Sequence, residues 1–581
     1  MKHLNYIVFT LLAGLLMTSC SKQITEKESD PNNPTTVPPN LILGTILTQM
    51  SGTGVNGSSG IGALGGVNSW DNVGDWNQYH CQNYNYYGNN IYSWTDNSTH
   101  SETEGSITVN NINNGPFNSY LVLKNVVQME KEVTSRGGSA VNPYEAVGRF
   151  VKAYYFYNLT SLMGDVPLTQ ALNASISTPA YTPQEQVYLY VLNQLDSANN
   201  DFATLISNND FSLSPTQDIF YGPNNNPNIV TPLQELQSWQ KLVNSFKLRV
   251  LVALSPKASD ATLNVPAQFA SILGNATKYP IFTSQADDFE FIYNPGESNN
   301  YSTYPFNPSN FGSIAGRYNM AATYVSALTT INDPRVFYTC DPAWALVKAD
   351  SAAADSSSFY PARYKYFVGA STGLDLGTMY SNASAGLYSF IGRKRYYSNF
   401  TGDPNVLVGY KEMLFNIAEG IERGWATSGT AETWYKNGIT LSMNFYGIDV
   451  NQTNFTAYFL PPTANAITQV QPYPFTFSWA TYYAQPAVQL SSTQSTAISQ
   501  IVLQKYIATF ETSGYEPYYN WRRTGVPAFQ GGSGVGNNGV VPARWAYPVS
   551  EQVQNAKNWS AAVSSQGFSA DDLNQKIWLL K

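Results

Sequence analysis

Apolar residues recur at helical spacing along much of the chain, and three of these runs follow recognisable helix starts. Each start places a capping residue before a proline and a Glu or Gln two residues further on, at 142–145, 182–185 and 231–234. The spacing predicts amphipathic helices joined by short turns, and therefore stacked helical hairpins. The apolar positions are Val147, Phe150, Val151 and Tyr154 in the first run, Val191, Leu192, Leu195 and Phe202 in the second, and Trp239, Leu242, Val243, Phe246 and Val250 in the third.

Two segments break this helical pattern. Residues 52–97 and 287–318 are rich in Gly, Asn, Ser and aromatic residues without helical periodicity, which predicts long loops laid over the helices. No strict repeat of tetratricopeptide length is present, although a succession of helix pairs suits a degenerate solenoid. The pattern predicts a mainly α fold that carries long irregular loops.

The N-terminus predicts export and lipidation. Lys2 precedes a hydrophobic run too short to span a bilayer as a helix, and Met17, Thr18 and Ser19 lead into Cys20. We expect a lipoprotein signal peptide over residues 1–19, then the lipidated Cys20 and a flexible tether over residues 20–39. An ordinary signal peptide with an incidental cysteine is the alternative.

Composition limits the classes of ligand that the protein can be expected to bind. The 31 Lys and Arg residues against 39 Asp and Glu give a net charge of −8, which argues against nucleic-acid binding. Aromatic residues make up 14% of the chain and charged residues only 12%. Most rings are expected in the core, but the supply also suits a surface that binds neutral polar ligands. No internal segment is long and apolar enough to span a membrane.

The chain offers little for catalysis. Beyond the signal peptide only His80 and His100 remain, too few for a histidine-based triad or a multi-histidine metal site. The glycine pattern at 60–65 matches a dinucleotide motif but follows no strand. We expect no cofactor and no metal. A glycoside hydrolase is a disfavoured alternative that would use carboxylates close in sequence, namely Asp71, Asp75, Asp287, Asp288 and Glu290.

Two cysteines remain once Cys20 is assigned to the lipid. Cys81 and Cys340 lie in no spacing typical of a metal site. In an oxidising compartment they either form one bridge or stay apart.

A series of sequence blocks resembles the SusD/RagB family of surface lipoproteins, and in particular its branch with a proline-rich start. The resemblance spans nearly the whole mature chain. Its blocks are DPNNPTTVPPNLIL (30–43), GDVPLTQAL (164–172), WQKLVNSFKLRVLVALS (239–255), DPR (333–335), LVGYKEMLFNIAEGIERGW (407–425), WYKNGITLSMNFYG (434–447), IVLQKYIATF (501–510), NWRRTGVPAF (520–529) and VPARWAYPVSEQVQN (541–555).

The resemblance implies a fold, a location and a role. The fold would be a single domain over residues 40–581, built from tetratricopeptide-like helical hairpins in an α-α superhelix, with loops forming the ligand-binding face. The protein would be anchored in the outer membrane through its lipid and face the cell surface. It would capture oligosaccharides, or peptides as in some members, and act as the lid of a SusC-like TonB-dependent transporter. The resemblance implies no catalysis.

Most charged residues inside these blocks are interpreted as structural. Lys247 and Arg249 lie on a helix whose other face is apolar, and Arg522 and Arg523 can form ion pairs or stack on rings. The expected carboxylate partners are those of the Glu412 and Glu419 face. The turn Asp333-Pro334-Arg335 is expected to stabilise a loop.

Ligand capture is assigned to residues of the two irregular segments. A sugar ring needs flat side chains for stacking and amide or carboxylate groups for hydrogen bonds. Two loops that converge would form one such platform. The alternative, a structural or adhesive surface protein without a soluble ligand, predicts that the same rings are buried, and the family resemblance favours the binding protein. The predicted ligand-binding residues are Trp70, Asn72, Trp76, Tyr79, Trp94, Tyr301, Tyr304 and Tyr318.

Overall fold

The computed structural model describes residues 36–51, 72–82, 117, 119–211, 217–222, 226–293, 295, 304, 306–353, 360–532 and 537–581. The predicted signal peptide, Cys20, most of the tether and the glycine pattern at 60–65 lie outside these residues and stay predictions. The division of the chain into domains also stays a prediction.

Helices dominate the described chain. Those of the first half are α1 (Pro39–Met50), α2 (Asn72–Trp76), α3 (Ser119–Ser135), α4 (Pro143–Met163), α5 (Gln184–Asn208), α6 (Pro232–Ala253) and α7 (Val265–Gly274). Those that follow are α8 (Phe311–Ile314), α9 (Ala322–Thr329), α10 (Val336–Thr339), α11 (Trp344–Ala353), α12 (Leu376–Ser384), α13 (Arg393–Tyr396), α14 (Tyr410–Glu422), α15 (Ala431–Phe445), α16 (Trp479–Tyr483), α17 (Gln494–Ala508), α18 (Glu516–Thr524), α19 (Val549–Gln554) and α20 (Ala556–Ser565).

The described strands form antiparallel pairs. The pairs join β1 with β5, β2 with β3, β4 with β6 and β7 with β8. Their bounds are β1 (His80–Gln82), β2 (Val166–Pro167), β3 (Tyr181–Thr182), β4 (Phe289–Phe291), β5 (Tyr318–Met320), β6 (Asn405–Val408), β7 (Asn454–Phe459) and β8 (Gln471–Thr476).

The long helices pack side by side as an array of hairpins. Helices α3 to α6 each contact the next in the chain, α6 then contacts α14, and α14 packs on α15 and α17. Rings fill the seam between α4 and α6, where the centroid of Phe150 lies 5.7 Å from that of Trp239 and 5.6 Å from that of Phe246. The predicted mainly α fold is confirmed. Within the described residues, no helix has the length and apolar character that crossing a membrane requires.

Two of the three predicted helix starts are confirmed by their caps. Asn142 accepts a hydrogen bond from the Glu145 N–H, and Thr231 forms a full capping box with Gln234. The predicted cap at Thr182 is wrong. The helix there begins at Gln184, whose N–H is bonded to a carboxylate from elsewhere in the chain, Asp165, at 2.9 Å.

Residues 52–97 and 287–318 contain more regular structure than the sequence predicts. The described part of the first segment holds α2 and β1, and that of the second holds β4, α8 and the start of β5. Elements of three to five residues are too short to leave a periodic signal in a window of a dozen residues. The absence of periodicity therefore does not exclude short strands and helical turns.

Buried ion pairs join helices of the array; the sequence predicts the pair of Arg523 but not that of Arg249. Arg523 of α18 bonds to both carboxylate oxygens of Glu419 on α14, with Nη2 2.9 Å from Oε2. Arg249 of α6 bonds to both oxygens of Glu412, also on α14, with Nε 2.8 Å from Oε1. The two pairs fasten α6 and α18 to the same helix.

The neighbouring cations have different partners. Lys247 Nζ lies 2.6 Å from Asp196 Oδ1. Arg522 instead donates to the carbonyl oxygens of Ser161 and Ala543, and its guanidinium lies 4.6 Å from the centroid of the Tyr518 ring. The ring stacking predicted for Arg522 is present, because a planar guanidinium packs well on an aromatic face.

The Asp333-Pro334-Arg335 turn is structural, as predicted. Arg335 is fully buried and binds both oxygens of Asp333, at 2.9 Å and 2.6 Å. Its other terminal nitrogen donates to Ser442 on α15, and Nη2 also donates to Gln504 on α17. The turn therefore anchors two helices of the array.

A pair of buried carboxyl groups connects the segment before α6 with that helix. Asp218 accepts hydrogen bonds from the N–H groups of Phe220 and Tyr221 and from the Trp239 indole, and Glu235 faces it from α6. Burial and the negative charge of Asp218 raise the pKa of Glu235 to about 9. Glu235 therefore keeps its proton at neutral pH.

This buried acid makes stability depend on pH. Between the ordinary glutamate pKa and about 9, the unfolded chain releases a proton that the folded chain retains, so the free energy of unfolding falls as pH rises. We expect Glu235→Gln to remove this loss and to raise stability at pH 8 by about 1 kcal/mol or more. Thermal melts at pH 5, 7 and 9 measure it. Glu185→Gln, at a partly exposed carboxylate of α5, is the control. Parallel curves for Glu235→Gln and the native protein would contradict the assignment.

The two remaining cysteines are buried free thiols. Cys81 pairs with Asn319, Asn319 bridges to Phe390, and the adjacent Ile391 bridges to Cys340. Three steps between neighbouring strands separate the cysteines by about 14 Å. A disulfide needs Cα atoms less than about 7 Å apart, so this arrangement does not allow a bridge.

The thiols should be unreactive until the protein unfolds, because they are buried and because burial raises the pKa of Cys340 to about 12. We expect a protein that starts at Ser21 to show no reactive thiol with an aromatic disulfide reagent in buffer. The same protein should show both thiols after denaturation. Reaction of either thiol at the rate of a free peptide cysteine, before any loss of helical signal, would contradict this.

Candidate functional site

The pairing of β1 with β5 joins the two segments that the sequence assigns to ligand binding. His80 pairs with Met320, Cys81 with Asn319 and Gln82 with Tyr318. Because the strands are antiparallel, the chain that continues beyond Gln82 and the chain that arrives at Tyr318 meet at the same end of the ladder. Gln82 and Tyr318 therefore lie side by side at that end. We call the pair of strands β1 and β5 the site base.

The site base is tied into neighbouring strand-like segments. The Met320 N–H donates to the Ser389 carbonyl at 2.9 Å, and the Ala321 N–H donates to the Tyr79 carbonyl at 3.0 Å. Ala321 also bridges to Ala370. Backbone bonds on several sides hold β5 in place.

Trp76 anchors α2, just before the site base, in the core. Its side chain is 1% exposed. Its ring centroid lies 5.1 Å from that of Tyr518 on α18 and 5.3 Å from that of Trp545. A ring enclosed in this way by other rings stabilises the fold.

Tyr79 is a second anchor. Its ring is fully buried and stacks on Tyr506 of α17 with centroids 4.8 Å apart. Its hydroxyl donates to the Tyr506 carbonyl at 2.8 Å and lies 3.2 Å from the Thr509 hydroxyl. Burial raises the pKa of Tyr79 well above its ordinary value, so the phenol stays neutral.

Two amides complete the attachment of this turn. Asn77 donates to the Gly514 carbonyl at 2.8 Å and accepts from the Tyr518 N–H at 3.1 Å. Gln78, in a left-handed conformation with φ of 53°, donates to the Gln530 carbonyl at 2.7 Å and accepts from its N–H at 2.8 Å. Gln78 is not among the predicted binding residues, because nothing in a single sequence separates it from other loop amides.

His80 also belongs to this attachment. Its Nε2 lies 3.3 Å from Glu511 Oε1, and both side chains are buried. His80 is therefore held beside a carboxylate inside the protein. His100 lies outside the described residues.

Tyr304 is packed into the protein on the side of the second segment. Its side chain is 1% exposed and its ring centroid lies 5.1 Å from that of Tyr293. A Cβ on Gly402, where φ is +51°, would lie 2.1 Å from the Tyr304 ring, so this contact requires glycine. Phe306 is buried beside it against Tyr397.

The structure corrects part of the predicted set of ligand-binding residues. Trp76, Tyr79 and Tyr304 are core residues in this structure and offer no ring face to a ligand. They were selected because loop rings that pack inward and rings that face solvent have the same sequence signature. Trp70, Trp94 and Tyr301 lie outside the described residues. Asn72 begins α2 and Tyr318 begins β5, but their side chains are not described, so these five residues stay predictions.

The acids considered for hydrolysis bind structural partners. Asp287 accepts from Lys241 on α6 at 2.8 Å, and Asp288 accepts from the Tyr410 N–H at the start of α14. Burial raises the pKa of Asp288, with the charge of Glu290 adding to the effect, and burial raises the pKa of Glu290 to about 7. These carboxyl groups connect the start of β4 to two helices. Asp71 and the side chain of Asp75 are not described.

The described site is a fixed support and carries no recognisable catalytic arrangement. Among the described residues, no group of three or more His, Cys, Asp or Glu side chains is placed to hold a metal ion. The support carries two segments rich in rings and amides, which suits binding.

Comparison with known proteins assigns the family. The family model described as "Starch-binding associating with outer membrane" matches residues 74–548. This match covers most of the chain, which belongs to the SusD-like family of nutrient-binding outer-membrane proteins. Members of this family are binding proteins rather than enzymes. No curated protein matches the chain.

Solved structures agree on the fold. A SusD homologue from Bacteroides fragilis is 24% identical with a TM-score of 0.70, and the match covers 94% of this chain and 100% of that one. A second SusD homologue from the same species is 25% identical with a TM-score of 0.66 and the same coverage. A chitin-binding SusD homologue from Flavobacterium johnsoniae is 18% identical with a TM-score of 0.65, covering 94% of this chain and 98% of that one.

The anchoring role of Trp76 predicts a loss of stability upon its removal. We expect Trp76→Ala to lower the free energy of unfolding by about 3–5 kcal/mol, because a large buried ring leaves a cavity. Tyr79→Phe should cost about 1 kcal/mol through its lost hydrogen bond. Urea titration followed by circular dichroism measures both.

Tyr380→Ala is the matched control for these variants, because that ring is 53% exposed on α12. It should change stability by less than about 0.5 kcal/mol. A Trp76→Ala protein with native stability would contradict the anchoring role.

Proposed function

We propose that this protein is a cell-surface lipoprotein that captures oligosaccharides and delivers them to a partner SusC-like TonB-dependent transporter, for which it acts as the lid. Membership of the SusD-like family supports the capture role. The observation that carries the location of the site is the register of β1 and β5, which brings the ends of the two ring-rich segments together.

Capture would rest on stacking and hydrogen bonds. Trp70, Trp94 and Tyr301 supply flat rings for the apolar faces of sugars, and Asn72 supplies an amide for their hydroxyls. Asn72 begins α2 and therefore lies close in sequence to the Trp76 anchor. Neutral groups of this kind match a neutral ligand, and the net charge of −8 does not favour a nucleic acid.

Affinity for a single sugar unit should be modest. An exposed polar ligand loses conformational freedom and hydration on binding. Its affinity reflects only the interaction free energy that remains after these costs. Several contacts along one oligomer offset this cost, because the second contact forms at high effective concentration. We therefore expect affinity to rise with oligosaccharide length.

Attachment to the outer membrane would come from the lipid on Cys20. The tether over residues 20–39 is polar and proline-rich, so it would stay extended between the anchor and the fold. The tether would then keep the lid close to its transporter while the lid opens and closes over it.

The ligand assignment is tested on a protein that starts at Ser21. A screen of starch and chitin oligosaccharides and of peptides identifies the ligand, and calorimetry measures its affinity. We expect Trp70→Ala, Trp94→Ala and Tyr301→Ala each to weaken binding about tenfold, or about 1.4 kcal/mol, without a change in melting temperature. Tyr380→Ala, which removes an exposed ring elsewhere, should leave affinity unchanged.

Other outcomes separate the alternatives. Saturable binding of peptides but not sugars would identify a peptide-binding member of the family. If neither sugars nor peptides bind, with or without the transporter, a structural or adhesive protein would be favoured. Native affinity in all three single variants would show that the site lies elsewhere.

A further inference from the structure

The hairpin of β7 and β8 presents one whole face to solvent. Its six pairs are in continuous register from Asn454 with Thr476 to Phe459 with Gln471. Alternate residues face outward, and all of them are exposed or half-exposed. This outer face consists of Asn454, Thr456, Tyr458, Pro472, Pro474 and Thr476.

The outer face lies in a stretch without charge. Residues 450–504 contain no Asp, Glu, Lys, Arg or His, although charged residues make up 12% of the chain. Such depletion of charge is typical of the core of binding surfaces. The nearest charge to its central ring is that of Lys394, whose Nζ lies over the Tyr458 ring at 6.0 Å from its centroid. A face of hydroxyls, amides and apolar rings complements an uncharged partner.

The prolines argue against a partner strand at the β8 edge. Proline has no N–H, so the bonds from β8 to β7 come from Gln471, Tyr473 and Phe475. The nitrogens of Pro472 and Pro474 then point to the open edge, which lacks the donors that an added strand needs. A partner would therefore bind the outer face of the hairpin rather than add a strand at its β8 edge.

The inner face of the hairpin is held rigidly. The Phe455 ring stacks on Phe475 with centroids 5.6 Å apart, and Phe475 packs on Phe337 of α10 at 4.8 Å. Tyr473 stacks on Phe459 at 5.6 Å. A ligand on the outer face would meet a preformed surface, which lowers the entropy cost of binding.

We propose that the outer face, centred on Tyr458 and the facing Pro472, is a second contact surface for an uncharged polysaccharide chain. Tyr458 is 44% exposed and sits opposite Pro472, so its ring and the proline rings offer apolar patches to sugar faces. Asn454, Thr456 and Thr476 offer groups for hydroxyls. Six residues of strand extend about 20 Å, which fits several sugar units.

This inference rests on the proposed function and extends it from oligosaccharides to the polymer. A long chain held at two surfaces dissociates more slowly than a short one that reaches a single surface. Tyr458 should therefore matter for polymers and not for short fragments.

The experiment compares Tyr458→Ala with the native protein, both starting at Ser21. The first readout is depletion from solution by insoluble chitin and by starch granules. The second is calorimetry with the short oligosaccharides of whichever polymer binds. We expect Tyr458→Ala to reduce retention on that polymer about fivefold or more and to leave the affinity for short oligosaccharides unchanged. Tyr458→Phe, which keeps the ring, should retain most of the binding, and Tyr380→Ala should retain all of it.

The outcomes distinguish this inference from the proposed function. Native retention of Tyr458→Ala, in a protein that binds the polymer and loses affinity with Trp70→Ala, overturns the inference alone. Absence of any glycan binding by the native protein overturns both. Undiminished polymer binding combined with weaker association with the transporter would show that the occupant is a protein, and it would also overturn the inference.

Discussion

Buried charges at the junction of three helices hold the scaffold and the candidate site together. Arg249 binds Glu412, and Arg523 binds Glu419, so α6 and α18 are both fixed to α14. Burial alone would raise the pKa of Glu419, but the charge and hydrogen bonds of Arg523, with the charge of Arg423, lower it to about 2. Because both charges of such a pair are buried, loss of one would leave the other without compensation and would destabilise the fold.

The same network extends to the support of the candidate site. Arg249 Nη2 donates to the Leu407 carbonyl of β6, the strand that pairs with β4 near the start of the second ring-rich segment. Glu516, at the start of α18, accepts from the Tyr157 hydroxyl of α4 at 2.6 Å. The turn just before α18 supplies the Gly514 carbonyl that Asn77 binds. The helices that carry the charges therefore also hold the turn before β1 and the strand β4 at the start of the second segment.

The array of helices could be predicted because its signals are local and repeated. Caps such as Asn142 and Thr231 and long apolar faces can be recognised without knowledge of contacts. The ion pair of Arg523 with Glu419 was also predicted, whereas the partner of Arg249 was not. Strands of three residues, such as β1 and β5, could not be predicted. Their pairing joins residues more than two hundred positions apart, and nothing local in either segment specifies that partner.

The candidate site shows the same division between local and distant information. Composition marked two segments as rich in rings and amides, but it could not separate the rings that face inward from those that face solvent. Trp76 and Tyr79 are inward because Tyr518 and Tyr506 lie against them, and those partners come from the far end of the chain. Burying these anchors makes binding easier, since a support that is already ordered lowers the entropy cost of binding. A capture protein that binds each sugar unit weakly benefits from such a support. Residues that are ordered before binding lose no further entropy, so more of the interaction energy contributes to affinity.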